Sequence, residues 1–122
     1  MKSRAALIEQ VKDIIASDLG RNMTLSELSR SVNCSPFLLC RVFREATGQT
    51  ITSYRHALRV LAALERLREG ITDITDLALE LGYSSHSHFT HIFRRHLGIT
   101  PSQFRQKELP RTVPPDARQS AC

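Results

Sequence analysis

Residues 27–55 read ELSRSVNCSPFLLCRVFREATGQTITSYR, and residues 76–105 read DLALELGYSSHSHFTHIFRRHLGITPSQFR. The second stretch repeats the first with one residue added. Leu28, Ser29 and Val32 correspond to Leu77, Ala78 and Leu81 at an offset of 49 residues. Leu39, Phe43, Gly48, Thr50, Tyr54 and Arg55 correspond to Phe89, Phe93, Gly98, Thr100, Phe104 and Arg105 at an offset of 50. Within each copy the apolar positions fall at i, i+3, i+4 and i+7, the spacing of one face of an α-helix. A short helix, a very short turn (Asn33-Cys34 or Gly82-Tyr83) and a longer helix therefore make up each copy. Asn and Gly tolerate the positive φ that a tight turn between steeply crossed helices often needs. Self-similarity at a fixed period marks one structural unit used twice.

Local signals place the remaining elements. Thr24 with Glu27 is a capping box, followed by Leu25, Leu28, Ser29 and Val32, so a helix is expected over residues 25–32. Ser35 is an N-cap and Pro36 a first helical residue; Leu39, Val42, Phe43 and Ala46 form the stripe to be buried, and Gly48 ends the helix. Residues 74–81 repeat the short helix, with Ile74 in the place of Leu25. The helix over residues 85–97 buries Phe89, Ile92, Phe93 and Leu97. A last short helix begins at Pro101, capped by Thr100. At the N-terminal end, Leu7, Ile8, Val11, Ile14 and Ile15 predict a helix over residues 4–19, stopped by Gly20. Between the copies, residues 51–69 hold no Pro or Gly and carry Ile51, Tyr54, Leu58, Leu61, Leu64 and Leu67 at helical spacing. The expected fold is all-α: seven helices forming two helix-turn-helix lobes (about 24–47 and 73–97) joined by a long central helix (about 51–69). The tail, residues 108–122, has three prolines and little apolar material, and is expected to be disordered.

Bulk properties narrow the function. With 122 residues, 41% apolar and 24% charged, the chain suits one domain or two very small ones. Its net charge of +5 favours polyanionic partners. Three cysteines make a poor disulfide framework, and together with the lack of a signal peptide or of an 18-residue apolar run this predicts a soluble, cytoplasmic protein with no membrane contact. There is no glycine-rich phosphate loop, serine elbow or pair of carboxylates across a cleft, so no enzyme is expected.

The longer helix of each copy carries the partner signal. Phe37, Cys40, Arg41 and Arg44 lie opposite Leu39, Val42 and Phe43; Ser87, His88, His91, Arg94 and Arg95 lie opposite Phe89, Ile92 and Phe93. From Ser84 to Lys107 there are four Lys or Arg and no Asp or Glu. A merely solvated face would mix signs, so this one points to nucleic acid.

The two quoted stretches resemble the DNA-binding domain of the AraC/XylS family of bacterial transcription regulators. The resemblance is carried by Ala78, Gly82-Tyr83, Phe89, Phe93-Arg94, Gly98, Thr100-Pro101 and Phe104-Arg105, with the linking helix in order, and covers residues 8–106. It implies a domain over residues 1–107 that binds double-stranded DNA, each lobe offering one helix to a major-groove segment; because both recognition helices lie in one chain, a monomer is expected to fill the site. It also implies RNA polymerase as a partner and no cofactor. By position, Phe37, Cys40 and Arg41 would read bases from the first lobe and His86, Ser87, His88 and His91 from the second. Arg44, Arg94 and Arg95 would hold phosphates. Lacking an effector domain, the chain would be a short, stand-alone MarA-like regulator or a fragment of a longer protein.

Arg41 is the strongest base reader, since a guanidinium pairs bidentately with guanine O6 and N7. Phe37 has two readings of equal weight, a thymine or sugar contact and a staple folded onto its own core. Cys40 offers only van der Waals contact, and Cys34 reads as a small core filler. The three clustered histidines, His86, His88 and His91, provide donors whose charge changes near neutral pH. Only His88 and His91 share a helix face, so no metal site is expected. His56 and His96 read as surface or boundary residues. The alternative is a helical protein-interaction or metal-sensing module using the His/Arg face; chelator would abolish the latter, whereas added salt weakens DNA binding.

Overall fold

The computed structural model describes residues 3–70 and 73–108. Among these the chain forms seven α-helices and no strand: α1 (Arg4–Ser17), α2 (Leu25–Ser31), α3 (Pro36–Thr47), α4 (Ile51–Arg68), α5 (Ile74–Glu80), α6 (His86–Leu97) and α7 (Pro101–Glu108). Ends fall within two residues of the sequence expectation. Glu108 closes α7, and the rest of the tail expected to be disordered lies outside the described residues.

Each helix starts on a side-chain oxygen that accepts an otherwise orphaned amide. Ser3 serves Ala6, Ser35 serves Leu38, Thr50 serves Ser53, Asp73 serves Asp76 and Ser85 serves His88, at 3.0–3.2 Å. Thr24 and Thr100 form reciprocal boxes, with Glu27 and Gln103. Thr100, expected to be a simple cap, thus closes a reciprocal box with Gln103.

Glu27 is held below its ordinary carboxylate range, chiefly by the Thr24 amide, then by the Thr24 side chain, with Arg21 adding a smaller pull. A lowered folded-state pKa contributes stability above the ordinary glutamate range that is lost as pH falls through the lowered value. The melting midpoint of the parent should therefore exceed that of Glu27→Gln most at neutral pH and converge on it in acid. A difference independent of pH would show that the charge is irrelevant.

The two interhelical turns are the same turn. Asn33 has φ 52° and Gly82 φ 91°. The amides of Asn33 and Cys34 donate to the carbonyls of Arg30 and Ser29 at 3.3 and 3.0 Å; those of Gly82 and Tyr83 donate to Leu79 and Ala78 at 3.1 and 3.0 Å. This paired pattern is a Schellman closure with the left-handed residue at its centre. Gly82 meets that demand by lacking Cβ, and Asn33 by its short polar side chain.

The chain divides into two compact units at Arg59/Val60. In the first, α1 and α2 lie against α3, and the core comprises Ile8, Val11 and Ile15, Leu28 and Val32, Leu39, Val42 and Phe43, and Ile51. In the second, α6 meets α5 and α7, and the core comprises Val60, Ala63 and Leu67, Ile74, Leu77, Ala78 and Leu81, Tyr83, and Phe89, Ile92 and Phe93. The repeat extends to ring geometry: Phe43 meets Tyr54 edge-on at 5.5 Å, and Phe93 meets Phe104 edge-on at 6.2 Å. Cys34 packs half-buried against the first core.

Four residues expected in buried stripes are exposed: Leu25, Ala46, Leu61 and Leu97. Leu25, Ala46 and Leu97 occupy terminal turns, where a short helix has run beyond its core. In α4, Tyr54 and Leu58 join the first core while Val60, Ala63 and Leu67 join the second. One continuous stripe through Leu61 therefore does not describe that helix. Arg59, which no apolar pattern would select, is 2% exposed. Its Nε donates to Leu19 O at 2.7 Å and its Nη2 to Asn22 Oδ1 at 2.8 Å and Arg21 O at 3.3 Å. One turn earlier, Arg55 Nη2 donates to Met23 O at 2.9 Å, and burial pushes that guanidinium's pKa down. The two arginines thus supply donors to the segment that leaves α1. No described helix is long and apolar enough to cross a membrane.

Candidate nucleic-acid interface

In the first unit, α3 is oriented by Ser35 and Pro36 at its start and by Leu39, Val42 and Phe43 on its buried side. Its other side presents Phe37, Cys40, Arg41 and Arg44, all exposed. Phe37 is 77% exposed, which removes the staple reading: a ring folded onto its own core would be covered. Together with Arg41, Arg44 and Glu45, Phe37 and Cys40 line one open groove on α3. An exposed phenyl ring beside two guanidinium groups can meet a thymine methyl and base edges in the same groove.

Glu45 belongs to this face and is absent from the sequence reading. Arg41 Nε donates to Glu45 Oε1 at 3.3 Å, and Arg4 Nη1 of α1 donates to Glu45 Oε2 at 3.2 Å. The i,i+4 spacing of Arg41 and Glu45 was a legible signal. The contact from Arg4, 41 residues away in sequence, was not.

In the second unit, α6 buries Phe89, Ile92 and Phe93 and exposes His86, Ser87, His88, His91, Arg94 and Arg95. The His88 ring meets the buried Tyr83 ring in a T-shaped arrangement with centroids 5.2 Å apart. At the repeat offset of 50, Phe37, Cys40, Arg41, Arg44 and Glu45 correspond to Ser87, Thr90, His91, Arg94 and Arg95. Ser87 and His91 therefore occupy the equivalents of Phe37 and Arg41, whereas His86 and His88 occupy those of Pro36 and Leu38. Thr90, which the sequence reading passed over, is half-buried, and its Oγ1 is buried without a hydrogen-bond partner among the described residues. No group of three or more described His, Cys, Asp or Glu side chains is arranged to hold a metal.

Two units closed by the same turn, each with an exposed polar face on its second helix, define a helix-turn-helix DNA-binding protein. A family model described as a helix-turn-helix domain matches residues 28–107. Over 103 residues the chain is 31% identical to the HTH-type transcriptional activator RhaR of Escherichia coli, covering 84% of this chain and 36% of the activator. It resembles the structure of a probable AraC family transcriptional regulator from Rhodopseudomonas palustris, with 25% identity, TM-score 0.76, and coverage of 84% of this chain and 97% of that one. The DNA-binding domain of AdpA, the global transcriptional factor, solved with a target DNA, shares the fold at TM-score 0.79 and 24% identity, covering 85% and 94% of the two chains. The chain belongs to this helix-turn-helix family and is of the AraC/XylS type. It spans about a third of the length of the curated relatives it matches.

Proposed function

We propose that the chain is a sequence-specific double-stranded DNA-binding transcription regulator whose binding domain occupies residues 1–107 and inserts α3 and α6 into successive major-groove segments. The observation that carries this is the exposure of every assigned contact residue on both helices, each helix being set on its own core by the same turn. Phe37, Cys40 and Arg41, with His86, Ser87, His88 and His91, read bases. Arg44, Arg94 and Arg95 hold phosphates. Because both recognition helices belong to one chain and differ in sequence, the site is asymmetric and a monomer fills it. Two major-groove segments one helical turn apart, about 34 Å, give a footprint of roughly 20 base pairs. The protein works in the cytoplasm and is not an enzyme. Its output is activation through RNA polymerase, a reading supported by the activator name of its relative.

Selection of bound sites from a random duplex library tests this. An asymmetric consensus with one chain per duplex is expected, with affinity falling steeply as salt rises through counterion release. A palindromic consensus carrying two chains would overturn the monomer reading, and salt-independent binding would overturn the DNA reading.

Substitutions separate the two kinds of contact. Arg41→Ala should relax preference at one position in one half of the consensus, with about 1–3 kcal/mol of discrimination lost. Arg95→Ala should weaken all sequences alike and reduce the salt slope by roughly one unit. A uniform loss with an unchanged consensus in both variants would remove Arg41 from base reading.

A further inference from the structure

We infer that Glu45 is a positioning residue for base recognition by the first lobe: it holds Arg41 by Nε, is held in turn by Arg4, and so presets the two terminal nitrogens of Arg41 for a guanine edge. This rests on the reading of Arg41 as a base reader.

A guanidinium needs only two of its five N–H groups to pair with guanine O6 and N7. The contact to Glu45 Oε1 uses Nε, which leaves both Nη groups available. The carboxylate's other oxygen takes Nη1 of Arg4, from a different helix, so Glu45 is fixed from two sides by two donors on two oxygens.

The arrangement contributes little to the fold. Arg41 and Glu45 are 57% and 49% exposed, the Nε contact is long at 3.3 Å, and arginine preceding the acid is the weaker order on a helix. What it limits is the set of rotamers open to a long side chain before it meets DNA, which lowers the entropy lost on binding. The second lobe lacks the device, because His91 and Arg95 occupy the two corresponding positions.

A carboxylate on a DNA-facing helix also repels phosphate. Glu45 should therefore lower affinity for arbitrary DNA while raising discrimination, two effects of opposite sign that a purely structural role would not produce.

The test uses the full chain with three duplex probes. They are a site selected from a random library, the same site with the guanine assigned to Arg41 changed to adenine or 7-deazaguanine, and an unrelated duplex of equal length. In Glu45→Ala the preference for guanine over adenine should fall about threefold to tenfold, within the range of a bidentate contact weakened rather than deleted. Binding of the unrelated duplex should tighten. Glu45→Gln keeps an acceptor for Nε and should retain most of the preference while still gaining on unrelated DNA. Arg4→Ala should shift the preference in the same direction by less, and melting midpoints should stay within a few degrees of the parent, roughly what a surface ion pair allows.

Loss of guanine preference in Arg41→Ala together with full retention in Glu45→Ala and Arg4→Ala would overturn the role of Glu45 and leave Arg41 as the reader. Full retention in Arg41→Ala would overturn the reading of Arg41 itself. If Glu45→Ala does not fold, the Gln and Arg4 variants decide: parental values on every probe in both would overturn the inference.

Discussion

Phe93→Ala loses about 3–5 kcal/mol of folding stability, the usual effect of deleting a fully buried phenyl ring and leaving its cavity. Phe93 has no exposed surface and touches Phe89 and Phe104 at centroid distances of 5.7 and 6.2 Å. A chain of this size has a total stability on the order of 5–15 kcal/mol, so such a loss removes much of it. The second unit has its own core, and the loss should appear there first. Amide exchange in α5 and α6 should accelerate before exchange in α2 and α3. Phe43→Ala, at the equivalent position with Tyr54 as its ring neighbour, should mirror this in the first unit. Urea denaturation followed by circular dichroism measures both, and a Phe93→Ala protein melting like the parent would mean that the ring is not in the core.

Arg59→Met is expected to cost about 2–4 kcal/mol, although methionine keeps much of the apolar stem. The guanidinium serves Leu19 O, Arg21 O and Asn22 Oδ1. Hydrogen bonds from a charged donor contribute roughly 1.5–3 kcal/mol each, and leaving a buried acceptor without a donor adds a desolvation penalty. Relief of the buried charge and water reaching the loop offset part of this, hence the range. Arg59→Lys should recover only a fraction, since one ammonium cannot reproduce a planar fork that reaches three acceptors. Asn22→Ala, which removes one partner, should cost less than either. An Arg59→Met variant with the parental urea midpoint would show that the segment after α1 is held by other contacts.

The contacts of Arg59 were not legible beforehand. Arg59 sits in a helix with Leu58 and Val60 on either side, and a periodicity count treats it as a solvent-facing charge. Its burial follows from the path of residues 19–23 after α1, which brings the carbonyls of Leu19 and Arg21 and the side chain of Asn22 to α4. The exposure of Leu61 has a similar origin. Period counting assumes one core along the whole helix, whereas α4 serves two cores with different residues. At the interface, the residue types on α3 and α6 were readable because their outward faces follow directly from the buried stripes. That Phe37 stands out from the surface, that the Tyr83 ring meets His88 and that Arg4 reaches Glu45 were not, since each depends on atoms far away in sequence or on a rotamer.

Local chemistry in the sequence by itself determined the seven helices, the caps at Thr24, Ser35 and Thr100 and the two tight turns. Caps, left-handed residues and 3.6-residue periodicity act over a few positions and need no partner. The repeat at 49 and 50 residues likewise determined that there are two equivalent units and which helix of each faces outward. Only the tertiary structure decided which half of α4 covers which core, which charge is buried, and that Arg4 of α1 reaches the glutamate beside the arginine assigned to base reading. Those outcomes arise where segments distant in the chain compete for the same volume and the same hydrogen-bond donors, and no pattern within a single helix encodes that competition.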